Sequence, residues 1–282
     1  MERLKQALER ARAERHSEAD ATTVAALREP PGGRPGRQEE AATPADATAA
    51  CPMHPRLVPA DTKRLLANRI VAMADHDPAA TAYKVLRTHV LQRMSANGWQ
   101  TLAISSPTQG NGKTVTAINL AITLARDLKH KILLVDLDLR RPSMASYFFE
   151  GPVPGMSDYI TEGRSVEQLL IDPGIERLTL FPGNHSFTHS SDVLSSPMLI
   201  KLVDDLKGRY PDGLVLFDMP PMLGGDDVIA FLPYVDALLL VIEDGKTTKD
   251  QLADCYSLLD NARILGTVLN RAEEGSTGVG YY

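Results

Sequence analysis

Cysteine and excess positive charge are both scarce in this sequence. Its 282 residues include two cysteines, Cys51 and Cys255, which stand far apart. That usage argues against a disulfide framework and fits a reducing cytoplasm. The net charge of −6 provides no general attraction to nucleic acid or to an anionic membrane surface. We therefore expect no nucleic-acid partner.

Long hydrophobic runs are also missing. The longest clearly apolar run, "ALLLVI" at 237–242, is far too short for a bilayer-spanning helix, which needs about 20 residues. The N-terminus is charged throughout and lacks the apolar core of a signal peptide. We expect a cytoplasmic protein that reaches the inner face of the plasma membrane only through a partner.

The first part of the chain has little sustained pattern. Residues 1–20 carry a thin apolar stripe at helical spacing, which predicts a short amphipathic helix or a solvated tail. Residues 21–77 are rich in proline, alanine, glycine and charge, which predicts a disordered linker. Within it, Cys51 and His54 lack the second ligand pair that a zinc site requires.

A regular alternation of elements begins at residue 78 and predicts one domain over 78–272. A helix is expected over 78–97, followed by apolar strands and amphipathic helices. The expected strands are 100–106, 131–139, 177–183, 214–220, 237–245 and 264–270, and helices between them include 113–128, 195–208 and 248–261. Near-continuous apolar strands are typical of parallel sheets covered on both faces. The prediction is a doubly wound α/β domain with a mostly parallel sheet.

The stretch "SSPTQGNGKTVT" at 105–116 lies between an expected strand and an expected helix, the context of a phosphate-binding loop. Pro107 stands where such loops usually have their first glycine. Lys113 would reach the β- and γ-phosphates, and the Thr114 hydroxyl would coordinate Mg²⁺. The tripeptide "GKT" alone would equally suit an ordinary helix start. The expected nucleotide-binding residues are Gly110, Asn111, Gly112, Lys113, Thr114 and Val115, together with Asn270.

Three aspartates follow apolar strands. Asp136 and Asp138 stand in "ILLVDLDLRRP", and Asp218 stands in "LVLFDMPP". Any one of them could be a turn or cap residue, but together they predict a Mg²⁺-nucleotide site at one edge of the sheet. In such a site one carboxylate would hold the metal through water and another would take a proton. Asn270, at the end of the last strand, could bond adenine or act as a cap.

These motifs resemble the Walker A, A′ and B motifs of the bacterial tyrosine kinases of exopolysaccharide synthesis. The resemblance covers residues 78–271, and it extends to the stand-alone cytoplasmic forms associated with exosortase-linked loci. Members replace the first loop glycine, so Pro107 fits. The resemblance implies a P-loop NTPase fold with ATP and Mg²⁺ as cofactors. It also implies protein-tyrosine autokinase activity that regulates polysaccharide synthesis or export.

The resemblance also assigns residues. Lys113, Asp136, Asp138, Arg140 and Asp218 would be catalytic, and one of the two A′ aspartates would be the base. The residues on the metal side would be Thr114, Asp136 and Asp218. Asp227 also matches a family aspartate, whose role stays open at this point.

The family's phosphate acceptors are tyrosines on a flexible C-terminal tail. Here residues 273–282, "EEGSTGVGYY", end in Tyr281 and Tyr282, which are the expected acceptors. A mobile tether raises the local concentration of an acceptor at a neighbouring copy's site. The alternative is a disordered terminus with two chance aromatics.

Assembly departs from the family pattern. The positions of its Glu-x-x-Arg-x-x-Arg subunit helix are Thr81, Lys84 and Arg87 here, so self-association is expected in a weaker or different form. The resemblance also implies a separate, membrane-embedded regulator of polysaccharide chain length as activator.

Two other functions fit the same loop. Partition-type switch ATPases of the P-loop class carry a signature lysine where Thr108 stands. A non-catalytic, nucleotide-responsive adaptor of a polysaccharide machine would explain the altered subunit helix and the sparse tyrosines.

Overall fold

An eight-stranded sheet organises the part of the chain that the computed structural model describes, which comprises residues 55–74, 77–127, 129–259 and 262–272. The strands in chain order are β1 (Arg56–Leu57), β2 (Thr101–Ser105), β3 (Ile132–Asp136), β4 (Ile171–Asp172), β5 (Leu178–Phe181), β6 (Leu214–Asp218), β7 (Ala237–Glu243) and β8 (Ile264–Asn270).

Ten α-helices accompany these strands within the same described ranges. They are α1 (Thr62–Ala67), α2 (Pro78–Asn97), α3 (Lys113–Ala125), α4 (Met144–Phe148), α5 (Met156–Glu162), α6 (Val166–Leu169), α7 (Ser190–Leu194), α8 (Pro197–Arg209), α9 (Asp227–Phe231) and α10 (Lys249–Ser257). Short 3₁₀ turns occupy Val71–Met73, Met222–Gly224 and Leu232–Tyr234. None of the helices in these ranges is long and apolar enough to cross a bilayer.

The strand order is β1-β4-β5-β3-β6-β2-β7-β8. All neighbouring strands pair in parallel, except β4 and β5, which pair antiparallel. The carboxyl ends of β2, β3, β6 and β7 therefore meet at one edge, where open α/β sheets bind their ligands. The register places Asp136 of β3 directly beside Asp218 of β6.

Both faces of the sheet are covered, as the continuous apolar strands predict. Leu102 and Ile104 of β2 pack with α3 in one core cluster, whereas Ala103 between them packs with α8 and α9 in a second. Alternate residues of a strand point to opposite faces, so each strand contributes to both clusters. Val115 is the only one of the thirteen α3 residues that is not buried. The structure thus confirms the doubly wound α/β prediction.

Element boundaries follow local capping. Helix α2 spans 78–97 as predicted, because Asp77 caps its start and Gly98, with a φ of 65°, ends it. The strand expected over 131–139 ends earlier, at Asp136. Backbone N–H groups that follow it turn back to bind the Asp136 carboxylate, which closes the chain into a turn.

The linker expected over 21–77 needs correction over residues 55–74. Strand β1 adds to the sheet beside β4, and the Val58 N–H donates to the Asp172 carbonyl at 2.9 Å. Leu65 and Ile70 are fully buried in the core. A two-residue strand and a short helix show no periodicity in the sequence, so composition alone suggested disorder here.

Other predicted features are placed on the fold or fall outside it. Thr81 and Lys84 are exposed on α2 and Arg87 is partly buried. This face of α2 therefore lies at the protein surface. The described ranges do not include the N-terminal helix predicted over 1–20 or the tail 273–282 with Tyr281 and Tyr282.

Candidate active site

The predicted phosphate loop (residues 106–112) connects β2 to α3 at the carboxyl edge of the sheet. Gly110 and Gly112 have φ values of 88° and 89°, a left-handed conformation that glycine adopts without strain. Gly112 precedes α3 without a side-chain cap, so the unpaired N–H groups of the first helical turn face the loop. This is the arrangement that binds phosphate at a helix N-terminus.

Asn111 fastens the loop from within. It is fully buried, and its Oδ1 accepts from both the backbone N–H and the hydroxyl of Thr108, at 3.0 Å each. Its Nδ2 donates to Glu243 at 3.2 Å. Asn270 donates through Nδ2 to the Asn111 carbonyl at 2.9 Å. The loop is thus held by side chains from two further strands.

Lys113 and Thr114 meet two of the predicted aspartates. Lys113 Nζ lies 2.8 Å from Asp138 Oδ2 and 3.4 Å from Asp218 Oδ1. The Thr114 hydroxyl donates to Asp218 Oδ2 at 2.6 Å. Burial alone would lower the pKa of Lys113, but Asp218 and Asp138 outweigh it and raise that pKa. The lysine is therefore a charged, preorganised cation between two carboxylates.

Asp136 lies behind this cluster. It is fully buried and accepts hydrogen bonds from the backbone N–H groups of Asp138, Ser143 and Met144 at 3.0–3.1 Å. Burial, followed by the nearby Asp218 carboxylate, raises the pKa of Asp136 to about 7. Burial likewise raises the pKa of Asp218. The Asp136 carboxylate therefore stabilises the turn after β3 and is not part of the cleft lining.

Arg140 belongs to a second network. Its Nη2 pairs with Asp227 Oδ2 at 2.8 Å, and its Nε donates to the Ser190 hydroxyl at 2.9 Å. Ser190 in turn donates to Asp227, and Arg140 Nη1 donates to the Gly224 carbonyl at 3.0 Å. The buried Asp227 therefore holds the Arg140 guanidinium at the edge of the site.

A cleft of about 460 Å³ opens beside the loop and brings these groups to solvent. Its lining combines the phosphate loop, the turn after β3, the segment after β6 and the residue after β8: Gln109, Gly110, Gly112, Lys113, Thr114, Val115, Asp138, Arg140, Arg141, Ser143, Tyr147, Pro220, Pro221, Gly224, Asp227 and Arg271. Asp138 thus borders the cleft, whereas Asp136 and Asp218 are enclosed beneath it.

The donor set fits a Mg²⁺-nucleotide. Thr114 and Asp218 supply the hard oxygen atoms that Mg²⁺ prefers, and Mg²⁺ usually takes its remaining ligands from phosphates and water. In the described ranges, no group of three or more His, Cys, Asp or Glu side chains is arranged to hold a metal by itself. The residues present therefore fit a metal that arrives with phosphate rather than one held in a protein cage.

Comparison with known proteins agrees with this geometry. Residues 99–262 match the AAA domain family. The chain is also 30% identical over 190 residues to the tyrosine-protein kinase YwqD of Bacillus subtilis (strain 168), a match that covers 67% of this chain and 79% of YwqD. The chain belongs to the bacterial tyrosine-kinase family.

Other members of this kinase family are longer. EpsB of Ralstonia nicotianae, assigned as a tyrosine-protein kinase, is 30% identical over 224 residues, which cover 77% of this chain and 28% of EpsB. This chain thus spans less than a third of the length of that relative. Among solved structures, the chimerical protein CapA2B2 has a TM-score of 0.67 and 25% identity, covering 78% of this chain and 94% of that one.

The sequence did not reveal every residue of this candidate site. The roles of Glu243 and Ser190 emerge only from contacts between distant segments, and Asp227 had a motif match without a role. Glu243 does end an apolar strand, as Asp136 and Asp218 do, so the same strand-end pattern could have indicated it. Tyr147 lines the cleft without any motif signal, and Arg141, which also lines it, stands in "ILLVDLDLRRP" but was given no role.

Proposed function

We propose that this kinase-family chain transfers the γ-phosphoryl group of ATP to tyrosine, with Tyr281 and Tyr282 of a neighbouring copy as acceptors. The observation that carries the proposal is the buried cluster of Lys113, Asp138, Thr114 and Asp218 at the mouth of a phosphate loop. Phosphoryl transfer depends mainly on positioning and on charge stabilisation, and this cluster offers both.

Each cluster member has a role in this proposal. Lys113 orients the β- and γ-phosphates when its Nζ leaves the carboxylates for the phosphate oxygens. Thr114 and Asp218 would hold Mg²⁺. The bound metal would neutralise negative charge that develops on the phosphates. The backbone N–H groups of Gly110 through Val115 complete the cradle.

Asp138 is the proposed base. It lines the cleft, while Asp136 is enclosed and bonded to three backbone N–H groups. The bond between the γ-phosphorus and the β,γ-bridging oxygen breaks, and a bond to the tyrosine oxygen forms. The phenol proton passes to the Asp138 carboxylate, and ADP leaves. Asp136 then positions Asp138, because its carboxylate accepts a hydrogen bond from the Asp138 backbone N–H.

Arg140 and Asn270 have supporting roles in the proposal. Asp227 and Ser190 aim the Arg140 guanidinium at the cleft, where a cation stabilises anionic phosphate oxygens. The Asn270 amide nitrogen is used by the loop, so its Oδ1 is the atom that would accept from the adenine amine.

The biological setting extends the same proposal. The name of one relative, the succinoglycan biosynthesis transport protein ExoP of Rhizobium meliloti (strain 1021), supports a role in polysaccharide production. We infer that this chain regulates exopolysaccharide synthesis or export from the cytoplasm, recruited to the membrane by a separate membrane-embedded co-polymerase that activates it. Self-association through the α2 surface with Thr81 and Lys84 would bring one copy's tail to another's cleft.

The direct test is phosphotyrosine mapping by mass spectrometry after incubation with Mg-ATP. Wild-type protein should carry phosphate on Tyr281 or Tyr282, and Lys113→Ala should carry none. Both proteins are also assayed with a cytoplasmic fragment of a co-polymerase present. Absence of phosphotyrosine above the Lys113→Ala background in both conditions would refute the kinase proposal.

A switch ATPase is less well supported by the loop. Thr108 occupies the signature-lysine position, and its N–H and hydroxyl are both bonded to Asn111 inside the same chain. ATP-driven dimerisation with hydrolysis, but without phosphotyrosine, would favour the switch function. If removing residues 273–282 left polysaccharide output unchanged while Lys113→Ala abolished it, the switch or the adaptor function would be favoured.

A further inference from the structure

Glu243, the last residue of β7, is a buried carboxylate on which three segments converge. Oε2 accepts from Asn111 Nδ2 of the phosphate loop at 3.2 Å and lies 3.2 Å from Lys246 Nζ. Oε1 accepts from Arg271 at 2.6 Å. Only 8% of Glu243 is exposed, so the carboxylate is held by these partners rather than by water.

The contact with Asn111 determines how the loop amide is oriented. Both Thr108 donors require the amide oxygen of Asn111 on the loop side, which leaves Nδ2 facing Glu243. An acceptor at Glu243 therefore disfavours the flipped amide, in which oxygen would face oxygen. The loop keeps one shape because a carboxylate 132 residues away accepts from it.

Arg271 gives the same carboxylate a second connection. It has a φ of 59°, lines the cleft and immediately follows β8, two residues before the tail begins at residue 273. Although burial would raise the pKa of Glu243, hydrogen bonds from Arg271, Lys246 and Asn111 outweigh it and lower that pKa. The group therefore stays ionised at neutral pH.

We propose that Glu243 is a positioning residue for nucleotide binding, which holds the phosphate loop in its binding shape through Asn111 and ties that loop to Arg271 at the base of the tail. The proposal rests on the nucleotide-binding part of the proposed function and deepens it. It does not depend on which group finally receives the phosphate.

The experiment measures the affinity of the full chain for Mg-ADP by titration calorimetry. Glu243→Ala removes the acceptor for Asn111 and should weaken binding about tenfold, the scale of a lost hydrogen bond to a charged group. Glu243→Gln keeps an acceptor oxygen for Asn111 and should remain within about threefold of wild type. Glu167→Gln, which removes a surface ion pair with Arg209, is the matched control and should bind like wild type.

A double-mutant cycle separates positioning from a merely structural role. Asn111→Ala should weaken Mg-ADP binding about as much as Glu243→Ala, and the double variant should be no weaker than either single variant. In kinase assays, Glu243→Ala should raise the KM for ATP much more than it lowers kcat. Thermal unfolding of each variant checks that the fold is retained.

Several outcomes would overturn the proposal. They are wild-type affinity in Glu243→Ala or in Asn111→Ala, additive losses in the double variant, and equal losses in Glu243→Gln and Glu243→Ala. Failure of wild-type protein to bind Mg-ADP would also overturn it. Binding without phosphotyrosine would instead refute only the kinase proposal.

Discussion

At the scale of single residues, two independent constraints disfavour any residue other than glycine at Gly112. Its φ of 89° disfavours any side chain, and a Cβ there would come within 2.1 Å of Asn270 Nδ2. Gly112→Ala should therefore displace Asn270 and open the loop. We expect a stability loss of more than about 2 kcal/mol and loss of Mg-ADP binding, measured by urea unfolding and titration calorimetry.

Gly98 is a matched control for this substitution. It has a φ of 65°, but a Cβ there would meet nothing within 4 Å. Gly98→Ala should therefore show only the conformational cost, about 1 kcal/mol, with nucleotide affinity unchanged. Equal effects of the two substitutions on affinity would contradict the role of the Asn270 contact.

Asp236, at the opposite end of the sheet, links stability to pH. Its Oδ2 accepts from the Gln100 N–H at 2.9 Å and from the N–H and hydroxyl of Thr101 at 2.8 Å, and Oδ1 lies 3.6 Å from Lys207 Nζ. Burial would raise the pKa of Asp236, but these bonds outweigh it and lower that pKa. The ionised carboxylate thus stabilises the folded state above the unfolded-state pKa of about 3.9.

The pH dependence follows from that sign. Asp236→Asn retains an amide oxygen for the N–H donors but loses the charge, so we expect it to be about 1 kcal/mol less stable than wild type at pH 7. As pH falls through about 4 toward the lower folded-state pKa, wild type is protonated and the difference should shrink. Urea unfolding at pH 7 and near pH 3 measures it, and a constant difference would contradict the assignment.

At the scale of elements, strand β1 offers a test of the corrected linker. The Val58 N–H donates to the Asp172 carbonyl at 2.9 Å, and the Arg56 N–H donates to the Leu170 carbonyl. Leu57 lies between these two donors, so its N–H is on the side of β1 away from β4, and its side chain is exposed. Val58→Pro removes the ladder donor and should lower the unfolding free energy by about 1–3 kcal/mol. Leu57→Pro removes no ladder donor, so it should lower the unfolding free energy by less than about 1 kcal/mol.

Val58→Ala separates the lost side chain from the lost hydrogen bond. Because Val58 packs partly against the core, this variant measures the packing contribution alone. Chemical denaturation of all three variants gives the comparison. If Leu57→Pro were as harmful as Val58→Pro, segment 55–60 would not be held by this ladder.

Elements could be predicted from the sequence where burial on both faces imposes a pattern. The strands ending in Asp136 and Asp218 are continuous apolar runs, and capping by Asp77 and Gly98 fixed α2. Strand β1 and helix α1 were missed because they are too short to show a period. They are stabilised by tertiary contacts instead.

The candidate site likewise has features that the sequence predicts and features that it does not. The strand-end aspartates were predictable because parallel strands place their carboxyl ends at one edge. Which aspartate faces the cleft was not predictable, since the backbone N–H groups that bind Asp136 come from a turn without periodicity. The bond between Asn111 and Glu243 joins segments 132 residues apart and leaves no local signal.

At the scale of the whole molecule, the proposed acceptors and the proposed catalytic cluster lie on the same chain, so transfer within one copy must be distinguished from transfer between copies. Two inactive variants allow this. Lys113→Ala retains Tyr281 and Tyr282 but lacks the cation proposed to orient the phosphates. A chain shortened after residue 272 retains the Lys113 cluster but lacks the acceptors.

Neither variant should accumulate phosphotyrosine when it is incubated alone with Mg-ATP. If tails enter a neighbour's cleft, mixing the two should place phosphate on the Lys113→Ala chain, at a rate that rises with the concentration of the shortened chain. A shortened chain that also carries Lys113→Ala controls for contaminating kinases. Wild-type phosphorylation that is independent of protein concentration, together with no transfer in the mixture, would show that each tail reaches its own site.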